Sequence, residues 1–407
     1  MLSGGNRMGR SLDGKDLGKG ITQRKDGLYY GRINILGKIK EFYDKDLGSL
    51  REKMMMARTV CGSPEVQGSQ TVEDWFDTWF HIYKEPVVKE SSIVPMRNRV
   101  KNTILPLIGR KPLNKLSNFE YQTAITYLIK ENRIARRTIR EVSSRMEECF
   151  GIAVNNGFMR SNPALGTVIP GDSKEVEERR WMSPEEITKF LRTAEGGWWY
   201  EMLYIMIHTG MRIGEISALC WEDIDWEGRC IKVRRNLATW YERGVKHEKL
   251  STPKTVNGFR KIPFMGKVEQ VLKAQRQKVD QLKFTLGDRY RGKGEFSNLV
   301  FVTSMGSPVT RYNAEKAITK TVDQINAEES VKARSERREP VIFERCYPHA
   351  LRHTFASICF RAGMNPKVVQ KLMGHANYAT TINIYTHIMG VAYEEDVEKF
   401  NALLEVM

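Results

Sequence analysis

Apolar residues recur at intervals of three and four through residues 71–168, in VEDWFDTWFHIYKE, SIVPMRNRVKNTILPLIG, NFEYQTAITYLIKENR and ARRTIREVSSRMEECFGIAVNNGF. That spacing puts them on one helix face, so the stretch predicts four or five amphipathic helices, the last ending near Asn156-Gly157. Thr71, with Glu73 and Asp74 behind it, marks a helix start, because carboxylates in a first turn offset the positive end of the helix dipole. Ser183, followed by Glu185 and Glu186, marks another. Beyond it the pattern stays helical except near residues 231–235 and 249–263, where short β-favouring runs appear. Asn257-Gly258 interrupts the second run and predicts a hairpin turn.

Nearer the N-terminus the pattern changes. RKDGLYYGRINI and LGKIKEFYDK interleave Tyr and Ile with basic residues, and SLREKMMMAR follows with helical spacing, which predicts a small sheet backed by one helix. Residues 1–20 are Gly-rich, basic and without periodicity, and are expected to be a flexible arm with no fold of their own. Residues 62–70 and 162–182 carry the Gly, Pro and Ser breaks of linkers. The reading is a multidomain protein, mainly α with small β-sheets (α+β). It has an arm (1–20), a three-stranded sheet plus helix (21–62), a helical domain (71–168) and a mixed, mainly helical domain with a β-hairpin (172–407).

A net charge of +16 over 407 residues narrows the partner. It is spread as +6, +4 and +6 over residues 1–64, 65–171 and 172–407, so no single tail accounts for it. Basic excess along the whole molecule suits a polyanion, since each neutralised phosphate releases counterions. Nucleic acid is the favoured partner over the blander reading of a merely basic protein. The six cysteines stand singly with no C-x-x-C, which argues against a disulfide framework or zinc site and for reduced thiols in the core. No run approaches the ~18 apolar residues of a membrane span, and the protein is expected to be soluble and to stay inside the cell.

Three blocks concentrate chemistry: TGMRIGEISALCWEDID (209–225), HALRHTFAS (349–357) and LMGHANYATTINIYTHI (372–388). A guanidinium grips phosphate bidentately and stays protonated, so Arg212 and Arg352 could hold a phosphodiester and answer the charge on its non-bridging oxygens. Either alone would more simply be a surface ion pair. Arg212 sits in an apolar stretch and needs a partner, and Glu215, one helical turn away, is expected to supply it. A zinc reading of His349, His353, His375 and His387 lacks a Cys or carboxylate to complete the spacing, and the arginines would repel a cation.

The ordered set of Arg212, His349 with Arg352, Gly374-His375 and Tyr385 resembles the tyrosine recombinase (phage integrase) family, closest to integrases of conjugative transposons. The resemblance implies a site-specific recombinase that needs no cofactor and moves a mobile element through a 3′-phosphotyrosyl intermediate. Tyr385 would be the nucleophile, with Tyr378 and Tyr393 as rivals. Lys246, Lys249, Lys254 and Lys261 crowd the region where the family places a proton-donating lysine. TPKTVNGFRKIP resembles that motif and favours Lys254. His349 would serve acid-base or orienting chemistry and His375 would donate to the phosphate, while His353 and His387 read as structural.

The likeness extends over the chain beyond the arm. Residues 71–168 look like the family's core-binding domain, with basic clusters at Lys89, Arg97, Arg99, Lys101, Arg136, Arg137 and Arg140 that equally suit a solvated helix face. The N-terminal sheet resembles an arm-DNA-binding domain, with Arg24, Lys25, Tyr30, Arg32, Lys38 and Lys40 as candidate contacts. The final segment carries Val391, Val397, Phe400, Leu403 and Leu404 on one face. In such enzymes a tail of this kind commonly docks on a neighbour, which implies a homotetramer on DNA. An excisionase or DNA-bending accessory protein could assist. The competing classes are a non-catalytic DNA-binding regulator with the same fold and a type IB-like topoisomerase.

Overall fold

The computed structural model describes residues 8–14, 16–35, 38–60, 70–170, 180–242, 244–253 and 255–389. Two compact units divide the chain, at 1–175 and 176–407.

The first unit opens with strands β1 (Met8–Arg10) and β2 (Asp16–Lys19), paired antiparallel. Here the expectation of an unfolded arm is corrected from residue 8 onward. A Cβ on Gly9 would fall 1.5 Å from the Ile21 carbonyl oxygen, so glycine is what lets this hairpin lie against the next strand, while Leu17 adds a buried side chain. Strands β3 (Ile21–Gln23), β4 (Tyr29–Ile35) and β5 (Lys38–Asp44) form the expected three-stranded antiparallel sheet, backed by helix α1 (Leu47–Val60). Ile21, Ile33, Leu50 and Met54 fill the space between them. A Cβ at Gly31 would lie 2.1 Å from the Met54 sulfur, so the helix rests directly on backbone there.

The helical part comprises α2 (Val72–Trp79), extended by a π-turn over Phe80–Lys84, then α3 (Glu90–Thr103), α4 (Leu105–Ile108), α5 (Asn118–Glu131) and α6 (Arg136–Asn155). The Thr71 and Ser117 hydroxyls each accept from a backbone N–H three residues on, and Asp74 and Glu120 return the bond, closing two capping boxes. The sequence reads 92–109 as one helix. Pro106, in the first turn of α4, cannot continue the hydrogen-bond ladder and divides it. Trp75, Phe76, Trp79, Phe80, Tyr121 and Phe150 dominate the core.

The second unit holds α7 (Pro184–Ala194), α8 (Tyr200–Thr209), α9 (Ile213–Ser217), strands β6 (Ile224–Asp225), β7 (Cys230–Val233), β8 (Asn236–Glu242), β9 (Val245–Ser251) and β10 (Arg260–Pro263), and helices α10 (Lys267–Leu286), α11 (Arg311–Ser335), α12 (Pro348–Arg361), α13 (Pro366–Met373) and α14 (Tyr378–Met389). Ser183 caps α7 with Glu186, as its pattern predicts. The strands differ from expectation. Asn257-Gly258 does not turn a hairpin: it lies in a 3-10 turn, and β10 pairs with β7, Arg260 opposite Val233. The hairpin joins β8 to β9 and turns at Gly244, with φ of 81°. The apolar core of this unit runs through α7, α8, α10 and α11 and includes Phe190, Ile205, Met206, Leu272 and Ile318.

Candidate active site

Arg212 is the residue immediately before α9, in extended backbone, with its side chain about one-third exposed. The predicted contact is present: its Nη1 donates to Glu215 Oε1 at 2.8 Å and its backbone N–H to Oε2 at 2.9 Å. Its Nη2 donates to the Gly374 carbonyl at 3.0 Å. Glu215 itself is 3% exposed. Burial pushes its carboxyl pKa up, but hydrogen bonds and charge from Arg260, then the charges of Arg212 and Arg352, pull it below the ordinary value, so it is ionised.

Arg352 lies one turn into α12 and is 2% exposed. Its Nη1 donates to the Gly210 carbonyl at 2.6 Å and its Nη2 to the Met373 carbonyl. Thus two arginines, one just before α9 and one within α12, hook onto consecutive carbonyls, those of Gly374 and Met373, just before His375. Both anchoring glycines are required: Gly210 and Gly374 have φ of 59° and 64°, and a Cβ would strike Phe355 at 2.3 Å in one case and the Asn257 carbonyl oxygen at 2.8 Å in the other. Burial first, and then Arg212, lower the Arg352 pKa well below its usual value, with Glu215 acting against them. Two guanidiniums bond to one carboxylate and a third, that of Arg352, acts on it through charge alone, a balance of positive charge that favours a bound anion.

His375 is 9% exposed, and its Nδ1 lies 2.9 Å from the Thr381 hydroxyl. Burial, followed by the charges of Arg352 and Arg212, pushes its pKa down to about 3, so the ring is neutral. If the Thr381 hydroxyl donates to Nδ1, the ring carries its proton on Nε2 and can donate there. The Gln370 side chain donates to the His375 carbonyl at 3.1 Å, and the His375 N–H donates to the Gln370 carbonyl at 3.2 Å. Tyr385 is half-buried on α14, four residues and one helical turn past Thr381, with its ring edge against Phe360 at a centroid distance of 5.2 Å. His349 is exposed in the first turn of α12, 5.6 Å between ring centres from His353.

Lys254 lies outside the described residues, as do Tyr393 and the whole segment 390–407 with Val391, Val397, Phe400, Leu403 and Leu404. Of the rival lysines, Lys246 is paired with Glu248 at 2.6 Å. Lys261 alternates with buried Arg260 and Ile262 on β10 and therefore faces away from the guanidiniums. Among the described residues no group of three or more His, Cys, Asp or Glu could hold a metal, and no helix is long and apolar enough to cross a membrane.

Sequence reading missed Arg260, Thr381 and Gln370. Arg260 is the largest omission: it is buried, and its Nη2 and Nη1 donate to the two Glu215 oxygens at 2.8 and 3.1 Å. The available signal was strand alternation in FRKIP, which turns Arg260 to the same side as Ile262 and forces a buried charge to find a partner.

The other candidate contacts sort by face. Tyr30 and Arg32 lie on the sheet face away from α1, opposite Tyr43 and Glu41. Glu41 accepts from both tyrosine hydroxyls, at 2.6 and 3.1 Å, another residue missed. Arg24 pairs with Asp26 at 3.3 Å, and Lys25 is exposed in the turn. Lys40 shares the α1 face with Phe42, opposite Ile33; Lys38 pairs with Ile35 through its backbone. In the helical part Arg97 pairs with Glu85, Arg99 with Glu141, Lys101 with Asp77 at 2.8 Å, and Arg137 with Glu141 at 3.7 Å. Arg140 donates to the Pro170 carbonyl. These pairs fit the solvated-face reading of that cluster.

Residues 180–390 match the phage integrase family, and residues 71–129 match the SAM-like N-terminal domain of phage integrases. The chain belongs to the phage integrase family and is a tyrosine recombinase. It is 28% identical to a XerC-like tyrosine recombinase of Caldanaerobacter subterraneus subsp. tengcongensis, over 93% of this chain and 97% of the relative. It is 27% identical to the Tn916 transposase of Enterococcus faecalis, over 93% of each. The integrase of the Tn1549 transposon, solved with a circular intermediate DNA, shares the fold at a TM-score of 0.64, with 24% identity over 82% of this chain and all of that one.

Proposed function

We propose that this recombinase integrates and excises a mobile element, with Tyr385 as nucleophile. The observation that carries the reading is the hooking of Arg212 and Arg352 onto adjacent carbonyls just before His375, which gathers two guanidiniums and one imidazole about a single turn.

In this reading Arg212 and Arg352 grip the non-bridging oxygens of the scissile phosphate and His375 donates from Nε2. The Tyr385 oxygen attacks phosphorus; the bond from phosphorus to the 5′-oxygen breaks, leaving a 3′-phosphotyrosyl ester and a 5′-hydroxyl. The phenol proton passes to His349 or solvent, and Lys254 protonates the leaving oxygen. One phosphoester replaces another, so the reverse attack by a 5′-hydroxyl reseals DNA without nucleotide hydrolysis.

Residues 21–62 serve as the arm-site reader, residues 71–168 as the core-site domain, and residues 172–407 as the catalytic domain. The segment 390–407 docks on a neighbouring subunit and builds a tetramer on two duplexes, with an excisionase or bending protein assisting. The work is done on cytoplasmic, nucleoid DNA. Similarity to transposases of Tn1545 and Tn916 across nearly the whole chain supports the mobile-element assignment.

The test is covalent trapping. Wild type and Tyr385→Phe are incubated with sheared, nicked genomic DNA of the host, denatured in SDS, and the protein-bound fragments sequenced. Enriched ends recovered with wild type alone are expected and map the cleavage site. Binding without an SDS-resistant adduct from either protein points instead to a regulator, and adducts without sequence preference to a topoisomerase.

A further inference from the structure

We infer that Arg260 is a positioning residue that sets the alignment of Arg212 and of the His375 turn together; the inference rests on Arg212 holding the scissile phosphate. Its own side chain is 2% exposed and four of its five N–H groups are committed to the protein, against two for Arg352, so it is given no contact with DNA. Nε donates to the Leu372 carbonyl at 2.6 Å, Nη1 to the Gly258 carbonyl at 3.1 Å, and the Nη1 and Nη2 fork takes both oxygens of Glu215. One guanidinium therefore ties three segments: the end of α13, the turn following Lys254, and the start of α9.

Each tie bears on a group proposed to act. Glu215 accepts the Arg212 side chain and backbone N–H, and Arg260 saturates the other lone pairs of the same two oxygens, leaving the carboxylate one orientation. Leu372 stands two residues before Gly374, whose carbonyl fixes the second Arg212 nitrogen, and a Cβ on Gly374 would lie 3.1 Å from Arg260 Nη1. The guanidinium thus packs directly beneath the turn that presents His375. Asn257, from the turn Arg260 holds, reaches the His375 carbonyl at 3.5 Å. A pair that served stability alone could be replaced by apolar side chains; Glu215 cannot be, because Arg212 needs its charge.

The experiment measures single-turnover formation of the SDS-resistant adduct on a nicked duplex carrying the mapped cleavage site, with DNA affinity measured alongside. Arg260→Gln is expected to slow adduct formation about 100-fold, the loss typical of a small misplacement of reacting groups, with DNA affinity held within about threefold. Arg260→Lys, which keeps the charge and loses the fork, is expected to be slowed roughly tenfold. In Glu215→Gln/Arg260→Gln the two losses should not multiply, staying within about threefold of the slower single variant. An Arg260→Gln rate near wild type, or multiplying losses, overturns the inference. If Arg260→Gln fails to fold, Arg260→Lys decides: slow cleavage at unchanged affinity supports the inference, and a wild-type rate overturns it. Wild-type cleavage by Arg212→Ala instead refutes the underlying role of Arg212, whatever the Arg260 variants do.

Discussion

Glu215 is the residue on which the site depends most, since one buried carboxylate serves two guanidiniums and a backbone N–H. Removing one partner from a buried ion pair leaves the other uncompensated, so Glu215→Ala should cost about 3–5 kcal/mol, read from urea unfolding of the second unit. His375 makes a pH prediction. Its folded pKa, about 3, lies below its unfolded value near 6.5, so between those limits the unfolded chain binds the extra proton. Stability should fall as pH drops from 6.5 toward 3, by up to about 1.4 kcal/mol per unit, and His375→Gln should flatten that slope. Arg212, Arg352 and His375 were singled out in the sequence by residue type and by the resemblance to the family's ordered motifs, and the fold brings them to one turn. Arg260 was not, since a lone arginine in a basic strand reads as surface until the pairing of β10 with β7 turns it inward.

Among the elements, helix starts were legible at Thr71 with Asp74 and at Ser183 with Glu186, where a cap announced them, but not at Thr310 with Asn313. Strand pairing was not, because it depends on distant partners. Asn257-Gly258 carries the local hairpin signal, yet Gly258 packs against Pro253 and Asn257 reaches toward His375, so tertiary contacts take the turn elsewhere. The β8–β9 ribbon escaped because its burial alternates weakly and its turn carries only one glycine with positive φ. Two glycines give tests at this scale. Gly374→Ala should cost about 1–3 kcal/mol for the left-handed backbone and should reduce adduct formation, because the turn carries His375. Gly31→Ala should separate α1 from its sheet, lowering the melting temperature of the first unit while leaving cleavage of the mapped core site intact.

For the whole molecule, positive charge is distributed over all segments, so DNA affinity should fall about 1,000-fold or more between 50 and 200 mM salt if six or more phosphates are neutralised; fluorescence anisotropy across that range checks it. Deleting residues 390–407 should abolish assembly on DNA, and survival of both assembly and cleavage would sink the docking role of the tail. The break at 162–182 interrupts hydrophobic periodicity, and the division between the two units falls inside it, whereas the β1–β2 hairpin was hidden by a glycine-rich text in which Gly9 serves close approach. The central claim is that Tyr385 carries the DNA. Its most direct measurement is mass spectrometry of the nuclease-trimmed, protease-digested adduct. A nucleotide phosphate on the peptide at Tyr385 is the predicted result, and one found on Tyr378 or Tyr393 instead would contradict the account.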